Sequence, residues 1–428
     1  MTAQPASRET GETALVGLFP DGSYVDGAGE LTVAGLSLME LADTYGTPAY
    51  VVDEDAMVGQ ALRARTALAA RWPRSKVLFA SKAFPCTAAY RAMAGAGVGM
   101  DVAGGGALAA ALAAGADPAE MVLHGNAKTL EELHQAVDAG VGTIVIDNLD
   151  DIDRLERIVQ HEQRVLVRLV PGVRADTHEA MSTGQAGSKF GLSGPAAQRA
   201  IGRLRNSARL ELAGVHMHIG SQIRETRPFT EAVRALAGFG EFDVYDLGGG
   251  LGVRYTYADD PPSVEQWVSA LADAAQQHLP ATAQLMIEPG RSLVARAGIT
   301  LYRVISIKAG SPTFVAVDGG MGDNMEIALY GQRFEATIAN RVGGGAPVDL
   351  VGRHCESGDR ISTGVALRDP VVGDVIAVPT TGAYCYTLAN NYNGARRPPV
   401  VFCRDGSARL VVRRETYDDL LLRDQPHR

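Results

Sequence analysis

The stretch that decides the fold is residues 77–83, which read VLFASKA. It is an apolar run, typical of a buried parallel strand, that ends in a lysine, Lys82. Three later stretches pass from apolar into polar or glycine residues in the same way: GVHMHIGSQ at 214–222, YDLGGGLG at 245–252 and MIEPGRS at 286–292. We expect all four stretches to end at one site.

Apolar runs of this kind recur along the chain, and alanine-rich segments with helical periodicity lie between them, such as 56–70, 129–139 and 264–278. The runs begin near Val77, Gly99, Met121, Thr143, Val165, Leu212, Val244 and Gln284. Eight strand–helix units over roughly 220 residues predict a TIM barrel. Chemistry in such a barrel lies at the C-terminal ends of the strands, and this rule selects Lys82, Asp101, His124, Asp147, Arg168, His218, Gly248, Gly249, Gly250 and Glu288.

The chain outside the barrel has a different pattern. From about residue 299, short β-branched segments broken by Gly, Pro and Asp indicate a β domain of roughly 130 residues. Short strand-like pieces and one helical stretch, 36–45, precede the barrel. We therefore predict an α/β protein with an N-terminal tail and strands at 1–44, a TIM barrel at 45–298, and a C-terminal β-sandwich or β-barrel domain at 299–428 that the N-terminal strands complete.

Composition narrows the class of protein. The 428 residues are 46% hydrophobic and 21% charged, as expected for a globular protein of two domains. The net charge is -9 and the basic residues are scattered, which argues against nucleic acid as a partner. The N-terminus lacks the order of a signal peptide, and no apolar run reaches the length of a membrane span, so we expect a cytoplasmic protein without membrane contact.

The cysteines and histidines do not have the spacing that is typical of metal sites. The four cysteines form no CxxC pair, so thiols in a reducing compartment are expected. The nine histidines are similarly dispersed, apart from the HxH pair of His216 and His218. We therefore expect no metal site.

The four stretches together supply the parts of one cofactor site. A lysine at the mouth of a barrel, a phosphate-sized glycine nest and a carboxylate followed by Pro-Gly-Arg are the parts needed to hold pyridoxal 5'-phosphate (PLP) as a Schiff base. Glycine has no side chain to block the approach, so backbone N–H groups can reach the phosphate oxygens. We predict Lys82 as the Schiff-base lysine.

Eight motifs carry a resemblance to a known family. They are FASKA (79–83), THEAMSTGQAGSKFGLS (177–193), GVHMHIGSQI (214–223), DLGGGLGVRYT (246–256), EPGRS (288–292), DGGMGDN (318–324), HCESGD (354–359) and GAYCYTLANNYN (382–393). From about residue 45 to about 420 the sequence resembles the diaminopimelate decarboxylases, PLP-dependent enzymes of the alanine-racemase-like fold type III. HCESGD and GAYCY in this order after EPGR are the most specific part of the resemblance.

The resemblance implies a role around the cofactor for several of these residues. Lys82 would form the internal aldimine, Glu288 would pair with the pyridine nitrogen, and His218 would stack on the ring face. Asp101 and Arg168 would be charges around the lysine. The phosphate would be surrounded by Ser221, Gly249, Gly250, Gly290, Arg291 and Tyr384.

The resemblance also implies a homodimer with a shared active site. Cys355 would come from the second subunit and protonate the carbanion carbon, and Glu356 beside it would hold the distal ammonium of the substrate. The reference reaction converts meso-2,6-diaminopimelate to L-lysine and CO2, a step of lysine biosynthesis. The family's substrate-binding positions are occupied here by Arg291, Glu326, Tyr330, Glu356 and Tyr384.

Two residues depart from the family pattern. After DGGMxDN the family has an arginine that clamps the distal carboxylate of the substrate, and this chain has Glu326 there, followed by the retained Tyr330. Two like charges about 4 Å apart repel by about 4 kcal/mol at an effective dielectric constant near 20. We therefore expect activity on diaminopimelate to fall by several powers of ten, unless Arg291 or Arg333 binds the distal carboxylate instead. Ala107 replaces a glutamate and removes a second carboxylate.

Several interpretations stay open at this stage. The protein is a diaminopimelate decarboxylase that tolerates Glu326, or a paralogue in a specialised biosynthetic pathway. The paralogue's substrate would end in an amine or guanidinium, as in lysine, ornithine or arginine, or would have its distal carboxylate absent or masked. An amino-acid racemase would share the barrel and the Schiff base, but the HCESGD motif argues against a racemase. A non-catalytic PLP carrier would resemble a barrel without a second domain, and the β domain argues against a carrier.

Overall fold

The computed structural model describes residues 17–174, 177–178, 181, 183–185 and 187–425. Within this range the chain forms two compact units. One consists of the residues up to Met57, Arg254–Asp259 and the residues from Val294 onward, and we name it the β unit. The other consists of Val58–Val253 and Asp260–Leu293, and we name it the barrel unit.

The strands, in chain order, are β1 (Tyr24–Val25), β2 (Leu31–Val33), β3 (Leu36–Ser37), β4 (Ala49–Asp53), β5 (Ser75–Ala80), β6 (Gly99–Ala103), β7 (Met121–His124), β8 (Thr143–Ile146), β9 (Gln163–Arg168), β10 (Leu210–His216), β11 (Val244–Asp246), β12 (Gln284–Ile287), β13 (Gly298–Lys308), β14 (Phe314–Val317), β15 (Thr337–Ile338), β16 (Ala346–Val351), β17 (Arg360–Leu367), β18 (Val375–Val378), β19 (Val400–Arg404) and β20 (Ser407–Val412).

The α-helices are α1 (Leu38–Tyr45), α2 (Glu54–Arg71), α3 (Thr87–Gly95), α4 (Gly105–Ala113), α5 (Leu130–Ala139), α6 (Leu149–Ile158), α7 (Gly194–Arg205), α8 (Arg227–Ala237), α9 (Val264–His278), α10 (Arg291–Val294), α11 (Glu326–Tyr330), α12 (Cys385–Leu388) and α13 (Tyr417–Leu421). Among the described residues no helix is long and apolar enough to cross a membrane.

The barrel unit contains a closed barrel of eight parallel strands, β5 to β12. Each strand pairs with its neighbours in chain order, and β12 closes the ring against β5. The predicted TIM barrel is therefore confirmed, and its eight strands begin at or within two residues of the predicted positions. The periodicity was a sufficient signal because a parallel strand covered on both faces is almost wholly apolar.

Local signals at the helix ends explain why the connections are helical. At the start of α5 the Thr129 hydroxyl accepts the N–H of Glu132, and the Glu132 carboxylate accepts the N–H of Thr129. Such a capping box satisfies two amide groups that the helix leaves without partners, and one cap contributes about 1 kcal/mol. Gly140 ends the same helix in the left-handed conformation, with φ +76°.

One layer of the barrel core draws on seven of the eight strands. Its buried residues are Leu78, Val122, Val145, Leu166, Ala213, Val244 and Met286. Strand β6 contributes Gly99, where a Cβ would lie 2.6 Å from Cδ2 of Leu78. The missing side chain therefore makes room for Leu78 inside the barrel, and a larger residue at this position would overpack the layer.

The β unit is built on a nine-stranded sheet. Its main path has the order β17-β16-β14-β13-β4-β19-β20, with β18 pairing against β13 and β15 against β18. The N-terminal strand β4 thus lies inside the C-terminal sheet, between β13 and β19, as expected for a β domain that N-terminal strands complete. Strand β4 falls within the range 45–298 that we predicted for the barrel, but it pairs in the β unit.

Strands β1 to β3 form a separate three-stranded sheet in the β unit. Their apolar residues Leu31 and Val33 join a core cluster with Val51 of β4, Leu301 of β13 and Val401 of β19. All five side chains are buried. At about 1.5 to 3 kcal/mol for each fully buried aliphatic side chain, this cluster holds the N-terminal segment against the C-terminal sheet.

Candidate active site

Polar residues lie at or within two residues of the C-terminal end of every barrel strand. In the order β5 to β12 they are Lys82, Asp101, His124, Asp147, Arg168, His216, Asp246 and Glu288. All except Lys82 are buried. This end of a TIM barrel is where catalytic residues are placed, because the strand-to-helix loops can vary there without disturbing the core.

Lys82 lies in a single 3₁₀ turn, Ser81–Ala83, directly after β5. Its Nζ is 3.5 Å from Oδ2 of Asp101, and its side chain is 44% exposed. Asp101 itself is buried, and its Oδ1 is 3.8 Å from Nε2 of His124. Asp101 therefore stands between the lysine and the first of the buried histidines.

Glu288 is the first residue after β12 and is the centre of a buried hydrogen-bond cluster. Its Oε1 is 2.6 Å from Nε2 of His124, and its Oε2 is 3.1 Å from Nε2 of His216. Burial acts to raise the pKa of Glu288, but the two histidines outweigh burial and hold the pKa well below its ordinary value. Burial lowers the pKa of His216 to about 3, so this ring is neutral and donates its Nε2 hydrogen. Glu288 is thus a buried, ionised carboxylate.

His218 lies two residues after the end of β10, and its Nδ1 accepts the N–H of Gly249 at 3.3 Å. Burial lowers the pKa of His218 well below its ordinary value, and the positive charge of Lys82 acts in the same direction. The imidazole is therefore a neutral ring at physiological pH. Its acceptor Nδ1 fixes the remaining hydrogen on Nε2.

The glycine-rich loop after β11 packs backbone against backbone. A Cβ on Gly249 would lie 2.1 Å from the carbonyl oxygen of Glu288, and one on Gly250 would lie 2.4 Å from that of Gly220. A Cβ on Gly290, in the loop after β12, would lie 2.9 Å from the last residue of β5. Only glycine fits at these positions, so the loops present main-chain groups instead of side chains.

Two further contacts hold the loops after β10, β11 and β12 together. The Gln222 amide donates to the carbonyl of Val253 at 2.7 Å and accepts its N–H at 3.0 Å. Gln222 does so with φ +56°, a left-handed conformation that non-glycine residues rarely adopt. Ser221 Oγ accepts from both Nε and a terminal nitrogen of the buried Arg291 at 3.3 Å. The predicted phosphate residues Ser221 and Arg291 are therefore in contact.

Arg168 is the last residue of β9, the strand that pairs with β10 in the barrel. Its Nε is 3.9 Å from Oδ2 of Asp147, and its guanidinium lies 4.5 Å above the ring of Phe190. Asp147 in turn accepts the N–H of Gly191 at 2.9 Å. Part of the motif at 177–193 lies outside the described residues. The described part is held to the barrel end by these contacts.

In the β unit, Glu326 is the first residue of α11 and Tyr330 the last. The Glu326 side chain is 1% exposed, and its Oε2 accepts a hydrogen bond from the hydroxyl of the fully buried Tyr255 at 3.2 Å. Tyr384, at the N-terminus of α12, has φ +64°. A strained tyrosine of this kind persists only where the surrounding fold fixes it, and such strain concentrates at functional sites.

The HCESGD segment forms a surface loop with a fixed base. Asp359 accepts the N–H of Met321 at 2.6 Å and that of His354 at 2.7 Å, which ties this loop to the DGGMGD loop. His354 is buried, whereas Cys355 and Glu356 are exposed. The Glu356 carboxylate accepts from the hydroxyl of Tyr392, whose ring stacks on His354 with centroids 5.3 Å apart.

The comparisons with known proteins agree on one family. Residues 56–295 match the family model "Pyridoxal-dependent decarboxylase, pyridoxal binding domain". The diaminopimelate decarboxylase of Actinosynnema pretiosum subsp. auranticum is 43% identical over 98% of this chain and 98% of its own. The chain belongs to the diaminopimelate decarboxylase family. It is a PLP-dependent carboxy-lyase that acts on an amino acid.

Other members of the family support the assignment. The diaminopimelate decarboxylase of Bacillus subtilis is 40% identical over 93% of this chain and 96% of its own. The crystal structure of the M. jannaschii diaminopimelate decarboxylase in complex with L-lysine superposes with a TM-score of 0.89 at 30% identity, covering 96% of this chain and 99% of that one. The similarity therefore extends over both units and not only over the barrel.

The residues at the barrel end fit PLP. The glycine loops carry no side chains that would block a phosphate, and Ser221 and Arg291 come from loops of the same cluster. The carboxylate of Glu288 suits a protonated pyridine nitrogen, and Lys82 supplies an amine for the aldehyde. The individual roles of these residues, including the predicted role of Gly249 at the phosphate, remain predictions. So does the expected absence of a metal.

Sequence reasoning missed four residues of these clusters. His216 and Asp246 are the last residues of β10 and β11, so the strand-end rule could have selected both. The HxH spacing and the glycines after Asp246 are the more prominent signals at these two positions. Tyr255 and Tyr392 lie in the motifs at 246–256 and 382–393, but nothing in the sequence shows their contacts with Glu326 and Glu356, which are 71 and 36 residues away.

Proposed function

We propose that this protein decarboxylates an α-amino acid whose distal end carries a cation and no free carboxylate. The observation that carries this proposal is the buried Glu326, which stands where the family has its carboxylate-binding arginine. The hydrogen bond from Tyr255 fixes the position of the Glu326 carboxylate. A buried carboxylate attracts an ammonium or guanidinium and repels a second carboxylate.

In this proposal some residues of the chain bind the cofactor and others bind the substrate. PLP, when bound, supplies an electron sink for the pair of electrons left when CO2 departs. Lys82 would supply the amine that attaches the cofactor, and Glu288 would keep the proton on its pyridine nitrogen. Neutral His218 would lie against the ring without adding charge. The phosphate would be held by Ser221, Gly249, Gly250, Gly290, Arg291 and Tyr384.

The substrate test compares diaminopimelate with three cationic amino acids, on the wild type and on Glu326→Gln. The PLP-loaded protein is given meso-diaminopimelate or L-lysine, with L-ornithine and L-arginine as further cationic substrates, and CO2 release and product mass are followed. We expect turnover of a cationic substrate and little of diaminopimelate. Glutamine has the same shape without the charge, so it should shift the ratio of kcat/KM towards diaminopimelate by about 100-fold or more.

The alternative is that the protein converts diaminopimelate to lysine, as the names of its relatives state for those proteins. Fast turnover of diaminopimelate by the wild type, with an unchanged ratio in Glu326→Gln, would establish that reaction and refute a role for Glu326 in selection. Turnover only of substrates whose distal carboxylate is masked would keep Glu326 as the selecting residue but replace the cation with a neutral group.

We also propose a homodimer in which each subunit lends Cys355 and Glu356 to its neighbour's active site. The exposure of both side chains on a loop that Asp359 fixes from below supports this proposal. In it, the Cys355 thiol protonates the reacting carbon, and Glu356 holds the distal cation of the substrate. The four cysteines form no disulfide, which suits the reducing cytoplasm as the site of action.

The dimer is tested by mixing two inactive variants under conditions that exchange subunits. Cys355→Ala lacks one part of the shared site and Lys82→Ala lacks the other, so a mixed dimer assembles one intact site. We expect about a quarter of the wild-type activity from an equimolar mixture, because half of the dimers are mixed and each has one site. Subunit exchange without any recovered activity would contradict the shared site.

A further inference from the structure

Asp246 is a buried carboxylate that no predicted role uses. It is the last residue of β11 and is completely buried. Its Oδ1 accepts the N–H of Gly248 at 3.0 Å, which shapes the first turn of the glycine loop. Its Oδ2 makes no hydrogen bond within the part of the chain that the structure describes. A buried polar atom in this state requires an explanation.

The surroundings of Asp246 contain a second carboxylate. One oxygen or nitrogen atom from each of Asp246, Glu288, His124 and His216 lies within 4.8 Å of those from the other three residues. Glu288 receives hydrogen bonds from both histidines, so the negative charge of the cluster is already placed there. When two carboxylates share one buried site, only one of them ionises readily. Burial raises the pKa of Asp246 well above its ordinary value, and the charge of Glu288 raises it further.

We propose that Asp246 is a positioning residue that remains a neutral carboxylic acid and directs its hydroxyl hydrogen towards Glu288. The proposal rests on the proposed role of Glu288 at the pyridine nitrogen. A third hydrogen-bond donor, added to His124 and His216, makes Glu288 a weaker base. A weaker base leaves the shared proton on the pyridine nitrogen, where it makes the ring an electron sink.

Asp246 also connects the two ends of the cofactor site. Its Oδ1 fixes the N–H of Gly248, while the carbonyl of the same Gly248 accepts the N–H of Glu288 at 2.9 Å. A change at Asp246 therefore reaches both the glycine loop that would hold the phosphate and the carboxylate that would hold the pyridine nitrogen. We expect substitutions to alter PLP binding as well as the protonation of the ring.

Two variants of similar size test whether Asp246 acts as a neutral hydrogen-bond donor or as a negative charge. Asp246→Asn keeps the acceptor for Gly248 and replaces the hydroxyl donor with an N–H donor. Asp246→Leu removes both. With PLP labelled by 15N in the ring, we expect Asp246→Asn to match the wild type in 15N chemical shift and to bind PLP within about twofold. We expect Asp246→Leu to bind PLP about tenfold or more weakly and to move the shift towards that of unprotonated pyridine.

An Asp246→Asn variant that behaves like Asp246→Leu would overturn the proposal, because the site would then need a charge and not a neutral donor. Wild-type behaviour of Asp246→Leu would overturn it as well. Glu288→Gln serves as the reference for an unprotonated ring. A protonated ring in Glu288→Gln would refute the role of Glu288 while leaving the state of Asp246 to be measured separately.

Infrared spectroscopy measures the state of Asp246 directly and does not depend on the leucine variant folding. The difference spectrum between wild-type holoenzyme and Asp246→Asn at neutral pH should contain the C=O stretch of a protonated carboxylic acid. The band should shift in D2O, as expected for an exchangeable proton. Carboxylate bands in its place would mean that Asp246 is ionised, and the proposal would fail.

Discussion

Two lysines at the same end of the barrel differ in almost every property that matters for chemistry. Lys128 has a side chain that is 1% exposed, and its Nζ donates to the carbonyls of Gly125 and Val145 and to Asp151 at 2.6 to 2.8 Å. Lys82 has a side chain that is 44% exposed, and Asp101 lies 3.5 Å from its Nζ. Both lysines follow barrel strands within a few residues.

The comparison teaches that burial alone does not make a lysine reactive. Burial lowers the pKa of Lys128, but Asp151 offsets part of that shift, and three acceptors occupy the three hydrogens of the ammonium. Nothing can approach its nitrogen without breaking these bonds. Lys82 presents its amine at a surface that an aldehyde can reach. Lys128 is therefore a structural residue that joins the loops after β7 and β8, and Lys82 is the lysine that we propose as reactive.

The largest expected effect comes from Lys82→Ala. We expect it to abolish the visible absorbance of PLP joined to an amine and to lower kcat by several powers of ten, because the protein loses its only predicted covalent attachment to the cofactor. Absorbance spectra of the purified variant with added PLP measure the first effect, and CO2 release measures the second.

Lys128→Met is the matched variant for this experiment, since it also removes a lysine from the same end of the barrel. We expect it to keep the PLP absorbance. Loss of the band in Lys128→Met together with its retention in Lys82→Ala would reverse the two assignments.

The second effect is on stability. Lys128→Met leaves Asp151 buried with one fewer cation, and we expect it to lower the free energy of unfolding by about 3 kcal/mol. Arg154, 2.7 Å from the other oxygen of Asp151, keeps the loss from being larger. Urea denaturation followed by circular dichroism measures the change. The exposed Lys308→Met should stay within about 0.5 kcal/mol of the wild type, and an equal loss in both variants would contradict a structural role specific to Lys128.

The sequence allowed the barrel and Lys82 to be predicted, because a parallel strand is an apolar run and the polar residue that ends it faces the catalytic end. The same reasoning selected Lys82 and not Lys128, but it could not predict the structural role of Lys128. What distinguishes them is Asp151, 23 residues after Lys128, and no spacing rule connects the two positions. Contacts of this kind depend on how neighbouring loops pack, so they became visible only in the structure.

In the β unit, too, contacts between distant segments could not be predicted from the sequence. The resemblance drew attention to Glu326 as a departure from the family, but its contact with Tyr255 joins two segments of different motifs. The strand β4 could be assigned to a strand from its β-branched residues, yet its partners β13 and β19 lie more than 200 residues away in the sequence. Local pattern predicts an element, and long-range packing decides its neighbours.

The smallest effect we expect is that of Asp101→Asn, which removes the carboxylate nearest to Lys82 without changing its shape. Because Lys82 is nearly half exposed, solvent screens this pair, and its contribution should be about 1 kcal/mol or less. PLP binding should therefore weaken by about fivefold at most, and the difference from the wild type should shrink at high salt. Titration of the apoenzyme with PLP at two salt concentrations measures both. A loss as severe as that of Lys82→Ala, independent of salt, would mean that Asp101 takes part in the chemistry itself and that the two lysines differ by a catalytic partner and not by access alone.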